Sequence, residues 1–224
     1  MRRIAKNKPE DYDIISDGLL VDSREIFLQP ASEYTSELDG RTAETFLRKL
    51  RLLESRGNSP IVLHISCIGG DYHAGMAIYD AIQYSTCKFV AITYGIAASM
   101  GSIIPQAVYP NGKRITMPNC DWMIHEGYTG TEGTNKHVIA SANWDKVLLD
   151  KMFDLYSGPC LETGKFFEGR DEAYVKRYLK KKLDSKEDWW LSAEDSVYYG
   201  FCDMIVGEEG IETVSDIIKS RAKL

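Results

Sequence analysis

The sequence predicts an α/β fold in which a parallel sheet is covered by helices. Strand-like and helix-like segments alternate along the chain. The strands are mainly apolar, as strands of a sheet covered on both faces are, and no repeat, linker or low-complexity tract breaks the alternation. The first strand is "SREIFLQ", residues 23–29. "ELDGRTAETFLRKLRLLESRG", residues 37–57, is a helix with Leu47, Leu50 and Leu53 at helical spacing and Gly57 as its stop. "PIVLHISC" (60–67) is a strand, "AGMAIYDAIQYS" (74–85) a helix, "CKFVAITYG" (87–95) a buried strand and "AASMGSIIPQA" (97–107) a helix. "DWMIHEGY" (121–128) is a further strand, closing on a glycine turn. Residues 135–156, "NKHVIASANWDKVLLDKMFDLY", carry Val138, Trp144, Val147, Leu148 and Phe153 on one long amphipathic helix. "RDEAYVKRYLKKKL" (170–183) is a second helix with a strongly basic edge.

Composition excludes several function classes. The chain has 224 residues, enough to bury a full core without staples. Lys and Arg number 27 and Asp and Glu 33, a net charge of −6, with the two signs interspersed. No face is set up to neutralise phosphates, so nucleic acid and an anionic membrane are not expected partners. Five cysteines, Cys67, Cys87, Cys120, Cys160 and Cys202, stand singly with no C-x-x-C, which argues against a disulfide framework and a zinc site and for a reducing, cytoplasmic setting. "MRRIAKNKPEDYD" runs into charges where a signal peptide carries its apolar stretch. Residues 89–108 have no formal charge over the length of a membrane span, but their small, hydroxyl, Gly and Pro residues read as a buried strand turning into a helix. No G-x-G-x-x-G and no phosphate loop is present, so no nucleotide cofactor is implied.

The chemistry concentrates around "TYGIAASMGSII", residues 93–104. Ser99 falls where a parallel strand runs into a helix, a point at which backbone N–H groups face the crevice and negative charge is stabilised. Ala97, Ala98 and Gly101 leave room for a peptide to approach the hydroxyl, and Met100 offers its N–H beside it. Such a serine needs a base and a second oxyanion donor. Gly69 and Gly70, between a strand and a helix, can present that donor, although a Gly-Gly pair on its own is more often only a turn. The base candidates are His64, His73, His125 and His137. His125 stands at a strand end where catalytic side chains gather, His64 lies inside a strand, and His137 lies on a helix among polar residues; spacing alone leaves His125 open between a catalytic and a space-filling role. Met100, Met123, Ile124 and Tyr128 near the site predict an apolar cleft that favours apolar groups of a substrate.

Four stretches, "GGDYHAGMAIYDAIQ", "YGIAASMGSII", "NGKRITMPNCDWMIHEG" and "DWWLSAEDSVYYGFCDMI", resemble, in order, the boxes of the proteolytic subunit of ATP-dependent Clp protease, the ClpP family of serine peptidases. With "YDIISDGLLVDSREIFL" near the start, the likeness covers about residues 12–207. In that family the serine sits in G-x-A-A-S-M-G and the histidine closes M-I-H. The aspartate lies four residues before the serine of L-S-A-x-E-A-x-x-Y-G-L-x-D. The resemblance therefore implies Ser99 as nucleophile, His125 as base, and Asp188, four residues before Ser192, as orienting acid, ahead of Asp184 and Asp195, which match no box. It also implies the N–H groups of Gly70 and Met100 as oxyanion hole, and no metal or organic cofactor.

The implied architecture is a ClpP/crotonase-like fold of repeated ββα and βαβ units, one peptidase domain over residues 1–224, with an axial N-terminal segment at 1–11 and a protruding helical handle over about 126–183. The implied function is cleavage of unfolded polypeptides and short peptides inside a homo-oligomeric chamber, a heptameric ring that the family stacks into a tetradecamer, fed by an AAA+ unfoldase. Departures are specific. "SCIGG" lacks the proline of the family's N-S-P-G-G; "EGYTGTEGT" replaces the Gln-Pro and Gly-rich strand after the histidine; Lys186 and Glu187 invert the usual charge order; and "CLETGKFFEGRDEAY" (160–174) reads as an insertion at the handle tip. The unfoldase-docking positions, aromatic in the family, hold His64, Tyr84 and Ile115. Other readings stay open: a phage-type head-maturation peptidase with the same triad and no unfoldase, and a non-catalytic ring subunit. A crotonase-type acyl-CoA enzyme would need an acid in place of the Ser/His pair.

Overall fold

Eight strands form one sheet among the described residues, which are 18–28 and 37–223 of a computed structural model. In chain order the elements are β1 (Leu19–Leu20), β2 (Glu25–Leu28), α1 (Gly40–Glu54), β3 (Ile61–Cys67), α2 (Tyr72–Gln83), β4 (Phe89–Ala98), α3 (Met100–Ile103), β5 (Lys113–Thr116), β6 (Asp121–His125), α4 (Asn135–Thr163), α5 (Glu172–Asp184), β7 (Asp188–Leu191), α6 (Ala193–Tyr198), β8 (Met204–Ile205) and α7 (Val214–Ser220). The expected axial segment, residues 1–11, lies outside the described residues.

The sheet runs β1-β2-β3-β4-β5-β8, with β1 antiparallel to β2 and the other neighbours parallel. Strand β4 serves two partners on one edge. Residues 90–93 pair with β5; beyond Gly95, whose φ of +62° lets the strand bend, residues 96–98 pair with β6. Strand β6 then pairs antiparallel with β7 and sets His125 directly opposite Asp188.

Burial explains why these segments hold their form. Phe46, Leu50 and Leu53 line one face of α1, and Asp39 caps its start by accepting the Thr42 N–H at 2.8 Å. Ile78 and Ile82 of α2, Phe153 and Tyr156 of α4, and Val175, Leu179 and Leu183 of α5 complete the main core. A smaller cluster on Val62, Val90, Ile92 and Ile115 is closed by Val206, Ile211 and Ile217. Ser192, four residues beyond Asp188, caps α6 by accepting the Asp195 N–H at 3.1 Å.

Several boundaries differ from expectation. Strand β4 continues to Ala98, and the helix expected over 97–107 shrinks to α3 followed by a 3-10 turn, Ile104–Val108, opened by Pro105, which has no N–H for an α-helical bond. Helix α4 continues seven residues past the expected end at Tyr156, to Thr163, with Pro159 inside. The segment 160–174, expected at the handle tip, lies at the opposite end. Cys160 and Phe167 are fully buried there, and Phe166 packs on Tyr178 and Tyr199. The exposed end of α4 is the N-terminal one: no residue from 135 to 151 is buried. The uncharged stretch 89–108 is β4, α3 and the 3-10 turn. Among the described residues no helix is long and apolar enough to cross a membrane.

Candidate active site

Ser99 stands between β4 and α3 at φ 52° and ψ −126°, a conformation that residues with a side chain seldom adopt and that the surroundings must enforce. They do so through the backbone: the Ser99 N–H donates to Met123 O at 2.9 Å, and the Ser99 carbonyl accepts from the N–H groups of Ser102 (2.9 Å) and Ile103 (3.3 Å). The turn aims Ser99 Oγ at His125 Nε2, 2.8 Å away. On the other side of the ring, His125 Nδ1 lies 3.5 Å from Asp188 Oδ1. That carboxylate arrives by strand register, since His125 and Asp188 are direct cross-strand partners of β6 and β7.

The other candidates take no part. His64 is buried in β3 with Nε2 on Glu25 Oε2 and Nδ1 on the Tyr94 hydroxyl, each at 2.8 Å, and its ring stacks on Phe27. His73 packs edge-on against Tyr72, and His137 lies exposed on α4. Asp184 closes α5 and Asp195 sits in α6, while Asp188 is the carboxylate that meets His125.

Small residues around the serine have steric reasons. A Cβ on Gly69 would lie 2.6 Å from Ser99 Cβ, one on Gly101 would lie 2.2 Å from Cys67 O, and one on Gly75 would lie 2.2 Å from Met100 Cε. The turn that lacks the family's proline is tied by Cys67, whose Sγ accepts the Gly69 N–H at 3.3 Å. Burial pushes that thiol up to about 11, so Cys67 stays a neutral thiol at physiological pH and is no rival nucleophile.

Two backbone N–H groups remain for an oxyanion. Met100 opens α3, so its N–H has no acceptor within the helix. In the 67–71 turn the Gly69 N–H goes to Cys67 Sγ and the Asp71 N–H to Leu38 O, which leaves the Gly70 N–H without an acceptor among the described residues. Each of the two donors belongs to a trans peptide whose carbonyl is anchored behind it: Gly69 O accepts the Leu38 N–H at 2.7 Å, and Ser99 O is held as described.

The apolar cleft is smaller than expected. Met100 and Ile124 are buried in the core, so only half-buried Met123 and exposed Tyr128 are accessible. The structure adds Trp190, which the motifs do not single out: it lies opposite Met123 on β7, on the Asp188 face, and is 53% exposed. The alternation of "DWWL" carries that signal, since every second residue of a strand shares a face. Among the described residues no group of His, Cys, Asp and Glu could hold a metal ion.

Fold and site together define a serine-type peptidase built on an α/β sheet. The family described as Clp protease matches residues 6–209. A protein named ATP-dependent Clp protease proteolytic subunit 2, from Tropheryma whipplei, is 32% identical over 169 residues, covering 75% of this chain and 86% of that protein. One named ATP-dependent Clp protease proteolytic subunit, from Streptococcus agalactiae, is 30% identical over 207 residues, covering 90% and 92%. Among solved structures, a mutant of ClpP1 from Listeria monocytogenes shares the fold with a TM-score of 0.66 at 23% identity, covering 84% of this chain and 94% of that one. The chain belongs to the Clp protease family.

Proposed function

We propose that this chain hydrolyses peptide bonds through an acyl-enzyme on Ser99. His125 Nε2 takes the hydroxyl proton as Ser99 Oγ bonds to the substrate carbonyl carbon, and the carbonyl oxygen becomes an oxyanion facing the N–H groups of Gly70 and Met100. His125 then gives that proton to the leaving amine as the peptide C–N bond breaks. Water repeats the sequence to release the acid and restore Ser99. Asp188 keeps the Nδ1 proton on its own side of the imidazole, which leaves Nε2 free as a base. The observation that carries the reading is the 2.8 Å contact between Ser99 Oγ and His125 Nε2, backed by Asp188.

The working form is an oligomer, a heptameric ring that stacks into a tetradecamer. It receives unfolded polypeptides from a Clp ATPase in the cytoplasm and cleaves short peptides unaided. Relatives named as proteolytic subunits of an ATP-dependent protease support this reading. So do the exposed apolar side chains of α4, Val138, Trp144 and Val147, which subunit partners would cover. A fluorophosphonate probe tests the chemistry: it should label the wild type, and Ser99→Ala should abolish labelling while retaining the circular dichroism of the wild type. His125→Ala should slow labelling and peptide turnover by several orders of magnitude, and Asp188→Asn by up to about 10⁴-fold. Equal labelling of Ser99→Ala and wild type would sink the assignment.

A further inference from the structure

Behind Ser99 runs a buried hydrogen-bond chain that the proposed chemistry does not use. Ser102 Oγ lies 2.6 Å from Ser99 O and 2.7 Å from the Tyr156 hydroxyl, and both side chains are essentially inaccessible. Ser102 has a single hydroxyl proton. Because Ser99 O can only accept, that proton goes to Ser99 O, and the Tyr156 hydroxyl must donate to Ser102 Oγ. Among the described residues the Tyr156 hydroxyl has no other hydrogen-bond partner. The next link is fixed as well: Gln106 Nε2 donates to Ser102 O at 2.9 Å and to Phe201 O at 3.0 Å, while its Oε1 accepts from the buried Arg114.

The peptide that joins Ser99 to Met100 is planar and trans, so its C=O and N–H point in opposite directions. Holding the carbonyl therefore aims the Met100 N–H. Resting on the reading of Ser99 as nucleophile, we infer that Ser102 and Tyr156 are positioning residues of the oxyanion hole. Tyr156 OH polarises and orients Ser102 Oγ, Ser102 Oγ fixes the Ser99 carbonyl, and the Met100 N–H is thereby held where negative charge develops. Tyr156 belongs to α4, so this ties one oxyanion donor to the buried base of the long helix. Cooperative chains of this kind bind more firmly than their separate links.

The test compares wild type, Tyr156→Phe, Ser102→Ala and the double variant in a short-peptide assay, with Ser99→Ala as reference. Loss of orientation rather than of the donor itself should lower kcat about three- to ten-fold with KM unchanged, because an oxyanion donor acts in the transition state. A peptide boronate, which forms a tetrahedral adduct on the serine, should lose affinity by the same factor as kcat/KM. A competitive peptide that forms no adduct should keep its affinity. The double variant should be no slower than the slower single variant, since both cut one chain. Unchanged kcat in Tyr156→Phe, losses that multiply in the double variant, or boronate affinity that stays constant while kcat falls would each overturn the inference. If Ser99→Ala still forms the boronate adduct and turns over peptide, the nucleophile assignment itself fails, an outcome distinct from the other three.

Discussion

Gly70 sits where the 67–71 turn meets Leu38. Its φ is +140°, and a Cβ would lie 2.4 Å from both the N and the O of Leu38. Those atoms anchor Gly69 O and the Asp71 N–H, so a methyl group there pushes on the two bonds that hold the turn. Gly70→Ala should destabilise the protein by about 1–3 kcal/mol through backbone strain and lower phosphonate labelling by about 10²-fold or more. Gly130→Ala is the matched control, since a Cβ there meets nothing within 4 Å. Thermal melting and labelling rate measured side by side decide it; a Gly70→Ala protein that labels like the control would remove Gly70 from the hole.

At the scale of elements, β3 carries a buried polar group whose titration is linked to stability. His64 has Glu25 on one nitrogen and Tyr94 on the other, with Phe27 stacked on its ring. Burial holds its pKa below the ordinary value, with the Glu25 contact opposing. The unfolded chain therefore binds a proton at a higher pH than the folded one, so stability is lost as pH falls through about 6.5 towards the depressed folded value. Denaturant titrations at pH 7 and pH 5 should show His64→Gln losing less stability over that interval than wild type, and equal losses would refute the linkage. The same element shows what a sequence conveys. Apolar runs such as 61–63 announce buried strands because both faces are covered, and capped, periodic stretches such as 40–54 announce helices. Ser99, His125 and Asp188 are legible through short motifs. Their meeting is not, because it depends on β4 changing partners at Gly95 and on the β6–β7 register, and long-range pairing leaves no local periodicity. The burial of segment 160–174 is hidden for the same reason: Phe166 and Phe167 find their partners on α5 and beyond α6.

At the scale of the whole molecule, the surface of α4 sets the expectation for assembly. Val138, Ile139, Trp144 and Val147 are exposed on a helix whose first seventeen residues, 135–151, include none that is buried. Apolar side chains exposed together on one helix favour association. Light scattering should give a mass that is a large multiple of 25.3 kDa, and Trp144→Glu should lower it without altering the fold. A monomer or dimer that is fully active on peptides would refute the chambered reading.

Helix α4 is also a cantilever. Met152, Phe153, Tyr156 and Cys160 clamp one end, and the stretch before them, with Leu149 packed against the core at its root, is an arm of about 26 Å at 1.5 Å per residue. A rotation of about 10° at the clamp sweeps the tip through about 4.5 Å on that arm length. In reverse, the arm trades travel for force: a gentle push at the tip arrives at the clamp shortened in distance and multiplied in strength. Tyr156 stands at the fulcrum, so a neighbour that gripped the tip of α4 would load a torque onto the Tyr156–Ser102 contact behind Ser99.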